Sequence, residues 1–303
     1  IKLKNENRLP AAVIGDGALS AGMAYEALNE LGDKKYPCVI ILNDNEMSIS
    51  KPIGAMSKYL SQMMAGPFYQ KFKNKINQLL QHVPDSAAYM AKRLEEGIRL
   101  ITPGMFFEEL GLEYIGPVNG HNIKDLISAF NVAKSMQKPV IVHVQTIKGK
   151  GYEIAEGPKE KWHGVSPFNP QNGIALQKSS QKNATEIFSN LLLELASKYD
   201  NVVGVTAAMP SGTGIGALIE KFPDRFWDTA IAEQHAVTSM AAMAKEGFKP
   251  YIAIYSTFMQ RAYDQVIHDC AILNLPVVLC MDRAGIVGED GETHQGAFDI
   301  SFL

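Results

Sequence analysis

Two polar strings each follow directly on a short apolar run. Gly15-Asp16-Gly17-Ala18 comes after the run at 11–14, and Asn43-Asp44-Asn45-Glu46-Met47 after the run at 38–42. Between the runs, Met23, Ala27, Leu28 and Leu31 recur at helical spacing. Strand, helix and strand within about thirty residues make a βαβ unit, whose two strands are parallel neighbours. Asp16 and Asn45 therefore end adjacent strands, where their side chains can converge. One carboxylate and one amide oxygen form an incomplete hard-cation site. Mg2+ held this way completes its shell with a backbone carbonyl, water and phosphate oxygens. Gly15 and Gly17 would let the backbone approach a diphosphate beside a helix N-terminus. A lone Gly-Asp-Gly reads instead as a strand end followed by helix-capping turns. The second polar string, one βαβ unit later, favours the cation.

Further polar strings follow later apolar runs. Ala232-Glu233-Gln234-His235 comes after 226–231, and Tyr255-Ser256-Thr257-Phe258 with Gln260-Arg261 after 251–254. Asp282-Arg283-Ala284-Gly285, leading through Asp290 to His294-Gln295, comes after 276–281. Open parallel sheets bind ligands at the carboxyl ends of their strands, so the candidate chemistry gathers on one edge. Taken alone, these residues leave alternatives open. Glu233 is either a first-turn helix residue favoured by the dipole or a carboxyl kept partly protonated among Ile231, Ala232, Ala236 and Val237. Arg261 is either a helix ion-pair partner or a bidentate phosphate reader. Phe258 alone reads as a core aromatic, and Tyr152 as a surface tyrosine.

The pair Gly15-Asp16-Gly17 and Asn43-Asp44-Asn45 resembles the signature of thiamine-diphosphate enzymes, with an Asp before Asn45 where the wider pattern has Asn. Ile231-Ala232-Glu233-Gln234-His235-Ala236-Val237, the string from Tyr255 to Gln265, and that from Asp282 to Gly296 resemble the 1-deoxy-D-xylulose-5-phosphate synthase family, and the resemblance spans essentially the whole chain. It implies Mg2+ held by Asp16, the Asn45 side chain and the Met47 carbonyl. It implies thiamine diphosphate contacted by Asp16, Gly17, Ala18, Asn45, Tyr152, Glu233 and Phe258. Glu233 would hydrogen-bond the aminopyrimidine, Phe258 would stack on it, and His163 would stand ready for proton transfer. Tyr255, Arg261, Asp290 and His294 would face the sugar-phosphate substrate, with His294 also catalytic.

The implied reaction condenses pyruvate, with loss of CO2, with D-glyceraldehyde 3-phosphate to give 1-deoxy-D-xylulose 5-phosphate. That product feeds isoprenoid, thiamine and pyridoxal phosphate synthesis, and the implied assembly is a cytoplasmic homodimer. The alternatives are transketolase-type ketol transfer and a non-catalytic paralogue; intact Asp16, Asn45 and Glu233 speak against the latter. His143, within a strand, and His268, on a helix, read as satisfied structural groups, and His235 as a support for Glu233.

The predicted architecture is α/β: two consecutive thiamine-diphosphate-binding-type domains, each a mainly parallel sheet flanked by helices. The first spans 1–147 with a helical insertion at 52–102, 148–183 is a linker, and the second spans 184–303. The chain reads as a segment of something longer, lacking the N-terminal part of the first domain and the C-terminal part of the second. Strands are expected at 11–14, 38–42, 113–115, 139–145, 201–205, 226–231, 251–254 and 276–281. Helices are expected at 19–31, stopped by Gly32, and at 184–198, 215–221, 234–246 and 260–273. The 303 residues, 46% hydrophobic and 20% charged, suit two globular domains. A net charge of −3 argues against a broad nucleic-acid surface, and no apolar run approaches the roughly 20 residues of a membrane span. The N-terminus has no apolar run of the secretory type. Cys38, Cys270 and Cys280 fit neither a zinc pattern nor a disulfide framework and read as buried free thiols.

Overall fold

The computed structural model describes residues 6, 8–45, 54–55, 104–157, 162–176, 183–288 and 291–303. The expectations for Met47, for Asp290 and for the insertion at 52–102, apart from Gly54 and Ala55, lie outside these residues. The described residues fall in two compact units, one before and one after residue 158.

In the first unit, β1 (Ala11–Gly15) leads through a single turn, α1 (Asp16–Leu19), into α2 (Gly22–Lys34) and then β2 (Cys38–Asp44). After α3 (Met105–Glu109) come β3 (Glu113–Asn119), α4 (Ile123–Met136) and β4 (Pro139–Gln145). The sheet is parallel throughout, in the order β1-β2-β4-β3. Alternation along the strands divides the core. Ile40, Leu42 and Ile141 pack with Leu19, Leu28, Phe107 and Leu112 on one face. Val39, Val140, Val142 and Val144 pack with Ala129 and Ala133 of α4 on the other. The Asn122 side chain caps α4 by accepting from the Lys124 amide at 3.1 Å.

Gly32 does not stop α2, contrary to the sequence expectation. The helix runs on to Lys34 and ends at Lys35, which adopts a left-handed φ of 54°. Gly32 is a packing residue instead, because a Cβ there would lie 1.9 Å from the Leu110 carbonyl oxygen.

In the second unit, a two-stranded antiparallel pair, β5 (Phe168–Asn169) and β6 (Ile174–Ala175), lies where the sequence suggested an irregular linker. Then follow α5 (Ala184–Lys198), β7 (Val202–Thr206), α6 (Gly216–Lys221), β8 (Phe226–Asp228), α7 (Glu233–Lys245) and β9 (Lys249–Tyr255). The Asn183 carboxamide starts α5 by accepting from the Glu186 amide at 2.8 Å. With β10 (Val278–Asp282) the sheet is again parallel, in the order β10-β9-β7-β8. Ile215, Leu218 and Phe226 are fully buried with Leu192 of α5, and each such side chain contributes about 1.5–3 kcal/mol by leaving water.

Two expectations change here. Strand β8 stops at Asp228 rather than 231, because the Asp228 carboxylate folds back to accept the Ala208 and Ala230 amides at 2.7 and 2.8 Å. The helix expected over 260–273 is not one α-helix. After α8 (Ser256–Met259) the chain passes through a 3-10 turn, Gln260–Ala262, a short α9 (Tyr263–Gln265) and a π-helix, Val266–Ala271. A continuous 3.6-residue period therefore misreads this stretch. A last short helix, α10 (Asp299–Phe302), closes the described chain. Of the cysteines, Cys270 alone is fully buried, while Cys38 and Cys280 are half-buried; all three are free thiols.

Candidate functional site

On the first unit, the ladder pairs Ile14 with Leu42 and Gly15 with Asn43, so Asp16 and Asn45 leave neighbouring strand ends together. Asp16 is buried, and its pKa is shifted up to about 6, first by burial and next by the charge of Asp44. The backbone amides of Gly17, Asp16 and Asn45 pull it the other way. A dehydrated carboxylate beside a second carboxylate is stabilised by a cation. A carboxylate and an amide oxygen at neighbouring strand ends are hard-oxygen donors, the type that Mg2+ takes. Among the described residues no cluster of three or more His, Cys, Asp or Glu side chains could hold a metal. A site built from one carboxylate, an amide and a carbonyl needs no such cluster.

Gly17 and the exposed Ala18 lie in the single turn α1. Tyr152 is half-buried in a turn whose amide bonds the Gly149 carbonyl at 3.0 Å. Gly149 permits that turn, with φ at 72° and the Ala155 carbonyl 2.6 Å from where a Cβ would sit. Sequence reasoning passed over Lys148. Its ammonium is pushed towards neutrality by burial and back towards charge by Asp16, so a cation already stands within electrostatic reach of the carboxylate. The alternating Lys and Gly of Lys148-Gly149-Lys150-Gly151 was the available signal.

On the second unit, Asp228 and its two amide bonds set the turn that delivers Glu233 to the first position of α7. Glu233 is buried at 3% exposure, against fully enclosed Ala236 and Val237. Burial raises its pKa above the ordinary carboxyl value, opposed in part by its own backbone amide and by Arg261. The Arg261 guanidinium donates to the Glu233 carboxylate as an ion pair. Of the two readings open for Arg261, the structure thus places it on an acidic partner, and that partner is Glu233.

A second cluster lies at the end of β9. Tyr255 and Phe258 stack with ring centroids 5.9 Å apart and planes at 14°. His294 stands edge-on to both, at 6.2 and 5.1 Å. The loop bearing His294 comes this close because Gly296 lacks a Cβ, which would lie 2.3 Å from the Ser256 hydroxyl. Arg283 was not singled out by sequence. Its guanidinium lies 4.1 Å above the Tyr255 ring and bonds Asp282 and the Gly212 carbonyl at 2.7 and 2.8 Å. His163 is exposed in a turn before β5 and takes no part in the described ring contacts of His294 or the ion pair of Glu233. His235 is likewise exposed.

These halves have recognisable counterparts. Residues 1–146 match the family model described as 1-deoxy-D-xylulose-5-phosphate synthase, and residues 180–303 match that of the transketolase pyrimidine-binding domain. Parallel sheets with these two matches define the thiamine-diphosphate-dependent, transketolase-like class. A 1-deoxy-D-xylulose-5-phosphate synthase of Campylobacter fetus subsp. fetus is 84% identical over all of this chain and 50% of its own length. One of Campylobacter hominis is 77% identical over the same shares. The chain belongs to the 1-deoxy-D-xylulose-5-phosphate synthase family, and it spans about half the length of the curated relatives it matches. Among solved structures, a transketolase from Campylobacter jejuni subsp. jejuni aligns with 97% of this chain and 50% of its own, at 18% identity and a TM-score of 0.36, too slight a likeness to add to the argument. No helix among the described residues is long and apolar enough to cross a membrane.

Proposed function

We propose that, at full length, this protein is a 1-deoxy-D-xylulose-5-phosphate synthase, condensing pyruvate with D-glyceraldehyde 3-phosphate and releasing CO2. The observation that carries the reading is Glu233: a carboxyl buried at the start of α7, with its pKa raised by loss of solvent. Such a group can share a proton with a ring nitrogen, which an exposed first-turn glutamate does poorly. Thiamine diphosphate, when bound, supplies the carbon nucleophile and the electron sink for decarboxylation.

The protein's own residues do the rest. Asp16, the Asn45 amide oxygen and the Met47 carbonyl hold Mg2+, while Gly17, Ala18, Tyr152 and Lys148 contact the diphosphate end. Glu233 holds the proton at the aminopyrimidine nitrogen, and Phe258 lies against that ring. Tyr255, His294, Arg261 and Asp290 receive the acceptor, and His163 moves a proton. The proposed organisation is a first domain at 1–147, a linker at 148–183 and a second domain at 184–303, in a cytoplasmic homodimer.

The test is proton–deuterium exchange at the thiazolium carbon in the full-length protein. Glu233→Gln is expected to slow that exchange strongly while Mg2+ and cofactor still bind. An unchanged exchange rate would remove Glu233 from this role.

A further inference from the structure

Behind the strand ends of the first unit lies a line of polar side chains to which the reaction assigns nothing. Tyr114 of β3, His143 of β4 and Asp44 of β2 share one face of the sheet, as the pairings Tyr114 with Ile141 and Leu42 with His143 require. The Tyr114 hydroxyl lies 2.7 Å from His143 Nδ1, and His143 Nε2 lies 2.9 Å from Asp44 Oδ2. His143 is fully enclosed and Asp44 is 3% exposed. A carboxylate can only accept, so Nε2 carries the hydrogen, and in a neutral ring Nδ1 then accepts from the tyrosine.

Packing fixes the line at both ends. The Tyr114 ring is parallel to that of Phe107, with centroids 6.2 Å apart. It also lies so close over Gly104 that a Cβ there would be 2.4 Å from the ring. On the other face of the sheet, Thr146 donates to the Asn43 carboxamide at 2.7 Å, and its amide bonds the Asp44 carbonyl at 2.8 Å. The last residues of β2 are thus tied to β4 through both faces and through the backbone, immediately before Asn45.

We propose that His143 and Tyr114 are positioning residues for the cation site. They hold Asp44 in the sheet and thereby set the backbone from which Asn45 meets Asp16. The proposal rests on the reading of Asp16 and Asn45 as cation ligands. Hydrogen-bonding groups that orient a metal site from behind the ligands commonly change metal affinity by about 10–100-fold when removed. They do so through geometry, since neither His143 nor Tyr114 need touch the ion.

The experiment uses full-length protein with thiamine diphosphate and Mn2+ as the probe, with free Mn2+ followed by electron paramagnetic resonance. Tyr114→Phe removes one hydroxyl and keeps the ring, and it is expected to raise the Mn2+ Kd about tenfold at a temperature where the apo-protein is fully folded. His143→Leu should do the same or more, and His143→Gln, which can still donate to Asp44, should recover part of the loss. If His143→Leu does not fold, Tyr114→Phe decides. Wild-type Mn2+ affinity in Tyr114→Phe overturns the proposal. A loss that merely tracks a fall in apo melting temperature across the variants overturns it too. Asp16→Asn separates the two levels: wild-type Mn2+ affinity in that variant overturns the cation site itself, and the positioning role with it.

Discussion

Glu233 and Arg261 form an ion pair within the second unit, the carboxylate enclosed and the guanidinium still partly open to solvent. Burial raises the pKa of Glu233 and Arg261 opposes that rise, so the arginine helps the carboxyl give up its proton. Arg261→Ala removes the opposing charge. The midpoint of the pH dependence of thiazolium exchange should then move upward. A pH profile that coincides with that of the wild type contradicts this.

Arg261 is also the proposed reader of the acceptor's phosphate. A charge-assisted hydrogen bond is worth roughly 1.5–3 kcal/mol, or about one to two powers of ten in kcat/KM. Arg261→Ala should therefore weaken D-glyceraldehyde 3-phosphate by that much more than unphosphorylated glyceraldehyde. Equal losses for both acceptors, together with a lower melting temperature, would confine Arg261 to its ion pair with Glu233.

Asp16 should make the metal-free protein sensitive to pH in an unusual direction. Its carboxyl is raised from 3.8 to about 6 in the folded state, so the folded chain binds the proton more tightly than the unfolded one. Stability from this group is therefore greatest below about pH 4 and declines as pH rises through about 6. A shift of this size corresponds to about 3 kcal/mol. Asp16→Asn should stabilise the metal-free protein near pH 7, by up to that amount, and abolish its response to Mg2+. Urea unfolding at about pH 5 and pH 7, with and without Mg2+, measures both effects; a metal-free variant no more stable than wild type at pH 7 contradicts the assignment.

Most of the parallel framework was legible because short, near-continuous apolar runs followed by polar strings mark buried strands ending at a ligand edge. The helix Ala184–Lys198 and the strand Pro139–Gln145 fall where the sequence placed them. What escaped depends on residues far apart in the chain. Gly32 looks like a helix stop until Leu110, much later in sequence, is seen against it. Residues 229–231 look like strand until the Asp228 carboxylate is seen to draw the Ala208 and Ala230 amides into a turn. Asp16, Glu233, Phe258 and Tyr255 stood out as candidates by lying at or just past strand ends, but residue type and position alone left Glu233 open and favoured a core aromatic for Phe258, whose proposed roles come from the family resemblance. Arg283 and Lys148 did not stand out, since their relevance lies in the ring and the carboxylate they approach.

Gly296→Ala tests the close approach that brings His294 to Tyr255 and Phe258. Its added Cβ would meet the Ser256 hydroxyl and the Arg283 carbonyl, at 2.3 and 2.6 Å. Overpacking of this kind costs about 1–3 kcal/mol. The variant should melt lower and show a raised KM for the acceptor, while Mg2+ affinity stays at the wild-type level. A variant with unchanged melting temperature and acceptor KM would show that the loop is not seated against Ser256 as described.

The most direct measurement is NMR of the full-length protein supplied with thiamine diphosphate, Mg2+, D-glyceraldehyde 3-phosphate and isotopically labelled pyruvate, beside a parallel sample in which a ketose phosphate replaces pyruvate as donor. The expected result is labelled 1-deoxy-D-xylulose 5-phosphate and CO2 in the first sample and no ketol transfer in the second. Ketol transfer without pyruvate consumption would contradict the proposed function and establish transketolase chemistry in its place. Failure of both samples, with cofactor and Mg2+ demonstrably bound, would contradict it in favour of a non-catalytic relative.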